Sequence, residues 1–179
     1  MVYCDMDGFM YLYDYGMFEK KPVGQNWNDV GSHAFLKCEA DGFAHKFLQR
    51  LSRYIGSDLC VLTSVDASCK EIENEHIFDK MKRVAEDYPF MSLCNFMACA
   101  SEKRNAISKI KGMNLSKADI LIDDYNKNLY AWQNAGGTSI KYINGVNSVG
   151  DWPGIFIDST TMTVDEAIEI FLKTWYESY

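Results

Sequence analysis

The chain has 179 residues, 18 of them basic and 25 acidic, for a net charge of −7 and a pI of about 4.9. With 47% apolar and 24% charged residues and only 3 prolines, it has the balance of a globular domain and not of a fibrous or low-complexity chain. The lack of a basic excess excludes long nucleic acid as a general partner, because few counterions would be displaced on binding, but leaves room for a small phosphorylated ligand held by a metal ion and one or two lysines.

The opening Met-Val-Tyr-Cys-Asp-Met-Asp lacks a basic stretch and places acids where a leader peptide needs an apolar run, so no targeting segment is expected. No run approaches the roughly 18 apolar residues that span a membrane. Val2–Cys4 reads as a first short strand. Residues 8–39 are long for a connection and rich in Gly, Asn, Asp and aromatics; they read as a small cap-like insertion over the strand ends. Over 40–55, Phe43, Phe47, Leu48, Leu51, Tyr54 and Ile55 recur at helical spacing, and Gly56 closes the pattern. Residues 58–64 (DLCVLTS) form an apolar run suited to a strand buried on both faces.

Residues 66–87 predict a helix through Ile72, Ile77, Met81 and Val84, and 91–99 a third strand. A helix over 101–111 follows, with Ser101 as its expected N-cap. Residues 119–122 read as the fourth strand, Asn126–Asn134 as a helix stopped by Gly136-Gly137, and Thr138–Ile143 as the fifth strand. A helix over 163–175, with Asp165 and Glu166 in its first turn, closes the order. Strands alternating with helices predict one α/β domain over 1–179, a parallel sheet covered on both faces, with ligands gathering at the carboxyl ends of its strands.

Those strand ends carry the chemistry. The first ends in Asp5-Met6-Asp7-Gly8, the second in Thr63-Ser64 and the fourth in Asp123-Asp124, while Lys103 opens the helix after the third. Singly, each has a plain structural use: an Asx turn before Gly8, a helix cap at Thr63-Ser64, a solvated lysine, a capping pair of aspartates. A calcium loop counted from Asp5 fails, since Met10 and Gly16 stand where glycine and glutamate are required. Three acidic or hydroxyl strand ends and a lysine converging on one edge make coincidence the weaker account.

The segments C-D-M-D-G-F (4–9), L-T-S (62–64), S-E-K (101–103) and D-I-L-I-D-D (119–124) resemble the four motifs of the haloacid dehalogenase-like (HAD) phosphohydrolases. The segment from Ile122 to Gly145 is similar to the 5′(3′)-deoxyribonucleotidase branch, cytosolic type C, and the likeness covers about residues 1 to 145. The resemblance implies a Rossmann-like three-layer α/β/α core and a Mg²⁺-dependent phosphatase. It implies Asp5 as nucleophile and metal ligand, Asp7 as acid and base with a carbonyl on the metal, Asp124 as direct ligand and Asp123 behind it. Thr63, backbone near Ser64, and Lys103 would hold the phosphoryl group. Phe9 and Met10 stand where the family commonly has smaller residues and leucine.

Within 9–18, Phe9, Tyr11, Tyr13, Tyr15 and Phe18 supply planar rings, and Trp27 follows. A ring facing the site can stack on a base, worth roughly 1–3 kcal/mol per base in single-strand binders; Phe9 and Tyr11 are the substrate-contact candidates, with most of the rings expected to pack the insertion on the core. The resemblance implies a nucleoside monophosphate as the substrate, with a sugar phosphate or a phosphorylated nucleic-acid end as alternatives that an open site admits. A metal-dependent D-x-D glycosyltransferase leaves Lys103 and Asp123-Asp124 without a role, and an idle phosphate-binding module leaves them without a use. The six cysteines (Cys4, Cys38, Cys60, Cys69, Cys94, Cys99) form no C-x-x-C pair and read as reduced, which suits a cytoplasmic protein. His33, His45 and His76 lie on separate elements and read as surface or locally bonded, Lys109 and Lys111 as solvated, and Trp132, Trp152 and Trp175 as core or interface.

Overall fold

The computed structural model describes residues 1–12, 33–65 and 70–179. In chain order, β1 (Val2–Cys4) is followed by a small antiparallel pair, β2 (Tyr11–Leu12) and β3 (Glu39–Ala40), and by α1 (Gly42–Ile55). Then come β4 (Leu59–Ser64), α2 (Lys70–Asp87), β5 (Phe96–Cys99), α3 (Lys103–Lys111), β6 (Ile120–Asp123) and α4 (Asn126–Asn134). The chain closes with β7 (Thr138–Ile143), β8 (Phe156–Asp158) and α5 (Val164–Glu177).

The main sheet has six strands in the order β5-β4-β1-β6-β7-β8, all paired in parallel. Successive side chains of a strand leave on opposite faces, so each strand feeds two core layers. Val2, Cys4, Val61, Ile120, Ile122, Ile140 and Tyr142 pack with Phe47, Leu48, Leu51, Val84, Ile168 and Phe171 on one side. Tyr3, Cys60, Leu62 and Leu121 pack with Ile107, Leu129 and Trp132 on the other. This is the α/β sandwich with a parallel sheet that the element order predicts. The order reverses about β1: the chain builds outward through β4 and β5, then returns to β6 on β1's other edge. Such a switch leaves a crevice at the carboxyl ends of the central strands.

Local chemistry fixes the helix ends. Asp41 Oδ1 accepts the Phe43 and Ala44 N–H groups at 2.8 and 3.0 Å and so starts α1. The α5 start is a capping box, Thr163 and Glu166 each satisfying the other's backbone N–H.

Several boundaries differ from the sequence expectation. The third strand is only Phe96–Cys99, because Leu93–Asn95 forms a 3-10 turn and Asn95 spends its side-chain amide on the Ser57 carbonyl at 2.7 Å. The helix expected from 101 begins at Lys103, and no side-chain bond caps it, Ser101 included. The sixth strand, β8, pairs with Lys141–Ile143 of β7; at three residues after Pro153-Gly154 it is too short to register as a periodic run. The expected insertion at 8–39 is bracketed by the β2–β3 pair; Tyr13, Tyr15, Phe18 and Trp27 lie outside the described residues. Among the described residues no helix is long and apolar enough to cross a membrane. The five described cysteines are free thiols, all buried except Cys94; Cys69 is outside the described residues.

Candidate active site

Asp5 stands immediately beyond β1, where its N–H still donates to the Ile122 carbonyl of β6 at 2.9 Å. The chain then turns: Tyr11 N–H donates to the Met6 carbonyl and Gly8 N–H to the Tyr11 carbonyl. Gly8 has φ +81°, and a Cβ there would lie 2.2 Å from Asp124 Oδ2, so the first and fourth motifs approach as closely as only a glycine permits.

Lys103, at the first position of α3, joins two of these strand ends. Its Nζ lies 2.6 Å from Asp5 Oδ1 and 2.7 Å from Asp123 Oδ2, with all three side chains buried. Burial alone would lower the lysine's pKa, but the Asp123 and Asp5 carboxylates more than reverse this and raise it. Asp5 Oδ1 also accepts the Met6 N–H at 2.7 Å, and none of the described hydrogen bonds falls on its Oδ2. Asp123 is saturated: Oδ1 accepts the Tyr125 N–H at 2.8 Å, and Oδ2 accepts Lys103 and, at 3.0 Å, the Asn128 amide.

Asp124 is held from the loop after β7, where Asn147 donates to Oδ2 at 3.1 Å, and from β7 itself, where Lys141 donates to its main-chain carbonyl at 2.5 Å. Asn144 in the same loop donates to the Gly8 carbonyl at 2.8 Å. Burial, reinforced by Asp123, pushes the Asp124 carboxyl up to about 7. Burial likewise raises the Asp5 carboxyl well above its ordinary range, with Asp123 adding to the shift and Lys103 opposing it. One carboxylate oxygen from each of Asp5, Asp123 and Asp124 falls within a group 4.8 Å across. Clustered hard oxygens with more negative charge than Lys103 cancels fit a divalent cation of the magnesium type.

Thr63, fully buried at the end of β4, and Asp7, on the turn after β1, complete the edge. Both meet a residue that sequence reasoning did not single out. Lys80 of α2 is 0% exposed; its Nζ forms an ion pair with Asp7 Oδ2 and lies 2.9 Å from Thr63 Oγ1 and 2.7 Å from the Ser64 carbonyl. Within a mostly polar helix nothing but spacing marks it: His76, Asp79, Lys80, Arg83 and Asp87 recur on the face that carries Val84. Asn144, Asn147 and Lys141 were also missed, the last because it sits within β7 and not at a strand end.

Thus Asp5, Asp7, Thr63, Lys103, Asp123 and Asp124 come together at one sheet edge, with the Ser64 carbonyl on Lys80. Phe9 and Tyr11 do not face it. Phe9 is 0% exposed with its ring 4.6 Å from Tyr142, and Tyr11 is 1% exposed against Tyr88, its hydroxyl on Asp87 at 3.0 Å. The β2–β3 pair must cover the core behind the turn, and these two rings do so, which leaves neither face for a substrate.

His33 fits its reading as a surface, locally bonded histidine. His76 is buried, and His33 joins α2: its Nδ1 lies 3.1 Å from both oxygens of Asp79, and its backbone N–H donates to Glu75 at 2.9 Å. These three form a second His/Glu/Asp group whose hydrogen bonds fasten His33 to α2. Lys111, expected in solvent, donates to the buried Asp119 at 2.5 Å.

No family model matches the sequence, and no curated protein matches it. Solved structures do share its architecture. A HAD family hydrolase from Deinococcus radiodurans R1, with bound phosphate and sodium, superposes with a TM-score of 0.62 over 97% of this chain and 95% of its own, at 13% identity. The D,D-heptose 1,7-bisphosphate phosphatase of B. bronchiseptica, complexed with magnesium and phosphate, gives 0.58 over 96% and 97% at 14% identity. At such identities the likeness is one of fold: the chain has the Rossmann-like α/β fold of HAD hydrolases over nearly its whole length.

Proposed function

We propose that this protein is a magnesium-dependent phosphomonoesterase working through an aspartyl-phosphate on Asp5, and that its substrate is a nucleoside monophosphate. The observation that carries the phosphatase reading is the buried Asp5–Lys103–Asp123 bridge beside Asp124, at the switch point of the sheet. The two related folds whose structures hold phosphate add support.

Asp5 Oδ2, the oxygen without a described partner, attacks phosphorus while the P–O bond to the leaving group breaks. Asp7 gives a proton to the leaving oxygen from Oδ1, the oxygen that Lys80 does not hold. It then takes a proton from the water that attacks phosphorus, cleaving the aspartyl-phosphate to inorganic phosphate and restoring Asp5. Lys103 spends two of its three donors on Asp5 and Asp123, so the third is available to a phosphoryl oxygen. Thr63 donates its hydroxyl to another. Asp5, Asp124 and the Asp7 carbonyl would hold Mg²⁺, which supplies charge neutralisation to the phosphate. Asp123, with both oxygens occupied by protein donors, acts by positioning Lys103.

The nucleotide assignment rests on the 119–145 segment, since Phe9 and Tyr11 are spent on the core. The free thiols suit a cytoplasmic location. A phosphate-release screen with Mg²⁺ over nucleotides, sugar phosphates and 3′-phosphorylated oligonucleotides tests both levels. Preferred turnover of nucleoside monophosphates is expected; preference for another ester overturns the nucleotide assignment, and no release from any ester overturns the phosphatase reading.

A further inference from the structure

We propose that Lys80 is a positioning residue for phosphoryl transfer, fixing the Thr63 hydroxyl and the Asp7 carboxylate as one unit without itself binding phosphate. The inference rests on the phosphatase reading and extends it to a helix that carries none of the four motifs.

The argument is one of donor counting. An ammonium has three N–H donors. Those of Lys80 go to Asp7 Oδ2, to Thr63 Oγ1 at 2.9 Å and to the Ser64 carbonyl at 2.7 Å, so none remains for a ligand. Lys103, with two described partners, is in the opposite condition. A hydroxyl oxygen that accepts from an ammonium must turn its own hydrogen elsewhere. Thr63 Oγ1 has two acceptors for it, Asp7 Oδ2 at 3.3 Å on the turn after β1 and the Ser64 carbonyl at 3.5 Å at the end of β4. Lys80 therefore sets the hydroxyl as a donor, the role a phosphoryl oxygen needs. The same ammonium fixes one oxygen of Asp7.

Its surroundings keep it in place. The Phe35 ring covers the ammonium, 4.2 Å from ring centroid to Nζ, and the side chain has no exposure. One residue earlier, Asp79 holds His33, so the segment carrying Phe35 is fastened to the same turn of α2.

A double-mutant cycle tests this, using Lys80→Met, Thr63→Val and their combination in the full chain with Mg²⁺ and an aryl phosphate. Each single change is expected to lower kcat by about 10–100-fold, the scale for removing a supporting partner. The double variant should fall no more than about threefold below the worse single one, because both remove the same unit. Losses that multiply overturn the proposal. The Ki for inorganic phosphate should stay within about threefold in Lys80→Met; a larger rise makes Lys80 a phosphate ligand and equally overturns it. Thermal melts verify folding, and Lys80→Gln replaces the methionine variant if that one does not fold. A wild-type protein inert towards phosphate esters removes the phosphatase reading, whereas an active wild type with multiplicative losses removes the role of Lys80 alone.

Discussion

Gly8 and Asp124 occupy adjoining space: with φ +81° at the glycine, the position of its missing Cβ is 2.2 Å from the carboxylate oxygen Oδ2. Gly8→Ala must therefore both strain the backbone, at about 1–2 kcal/mol for a left-handed residue, and push Asp124 aside. We expect a lower melting temperature and a Mg²⁺ affinity reduced by about tenfold or more. Calorimetric Mg²⁺ titration of the variant checks it, and unchanged affinity would contradict the contact.

Asp5→Asn separates chemistry from stability. On the proposed mechanism no aspartyl-phosphate forms without the carboxylate oxygen, so kcat should fall by at least about 10⁴-fold. The folded protein loses a buried charge that Asp123, Asp7 and Asp124 all disfavour, while Lys103 keeps Asp123 as a partner. Without Mg²⁺, the melting temperature of this variant should equal or exceed that of the wild type. A marked drop would mean that the Asp5–Lys103 ion pair outweighs the repulsion.

The raised Asp124 carboxyl predicts a pH dependence with a definite sign. The folded state holds this proton up to about pH 7, whereas the unfolded chain releases it near the ordinary carboxylate value of 3.8. Its contribution to stability is therefore full at acid pH and is lost as pH rises towards and through 7. In the presence of a chelator, melting temperature should fall between pH 5 and pH 8 from this source. Saturating Mg²⁺, which favours the ionised carboxylate, should flatten or reverse the trend. Melts at the two pH values with and without the metal measure it.

Asp41 is an aspartate of another kind. It caps α1 and accepts the buried Tyr142 hydroxyl at 2.9 Å, with none of the proposed catalytic residues among its described hydrogen-bond partners. Asp41→Ala removes the cap and leaves the tyrosine unpaired, at a combined cost of about 2 kcal/mol. Chemical denaturation should register that loss while kcat changes by less than about twofold.

The convergent strand ends were legible because each closes an apolar run, and a parallel sheet delivers such ends to one edge. Asp5, Thr63, Lys103 and Asp124 could be placed on that logic alone. Lys80 could not, because a lysine amid Lys70, Lys82 and Arg83 looks solvated until its acceptors are known, and these come from the turn after β1 and the end of β4. Phe9 and Tyr11 misled for the converse reason: a ring beside a site motif in sequence can turn its back on it when the sheet beneath needs covering. The strand Phe156–Asp158 was hidden by its length, since three residues carry no periodicity.

The parallel order of the sheet has a consequence for how the molecule comes into being. β1, made first, pairs only with β4 and β6, in registers such as Val2 with Leu59 and Val2 with Ile120. Its amino terminus donates to the Ala118 carbonyl, 117 positions away along the chain. Such pairings require closure of long loops before any contact is gained, and this makes folding slow. During synthesis the earliest residue of the reaction centre waits for the latest: Asp5 has no settled place until the stretch bearing Asp123 and Asp124 has been made. Nascent chains halted short of residue 120 should accordingly remain protease-sensitive, and resistance should arise together with the capacity to bind phosphate.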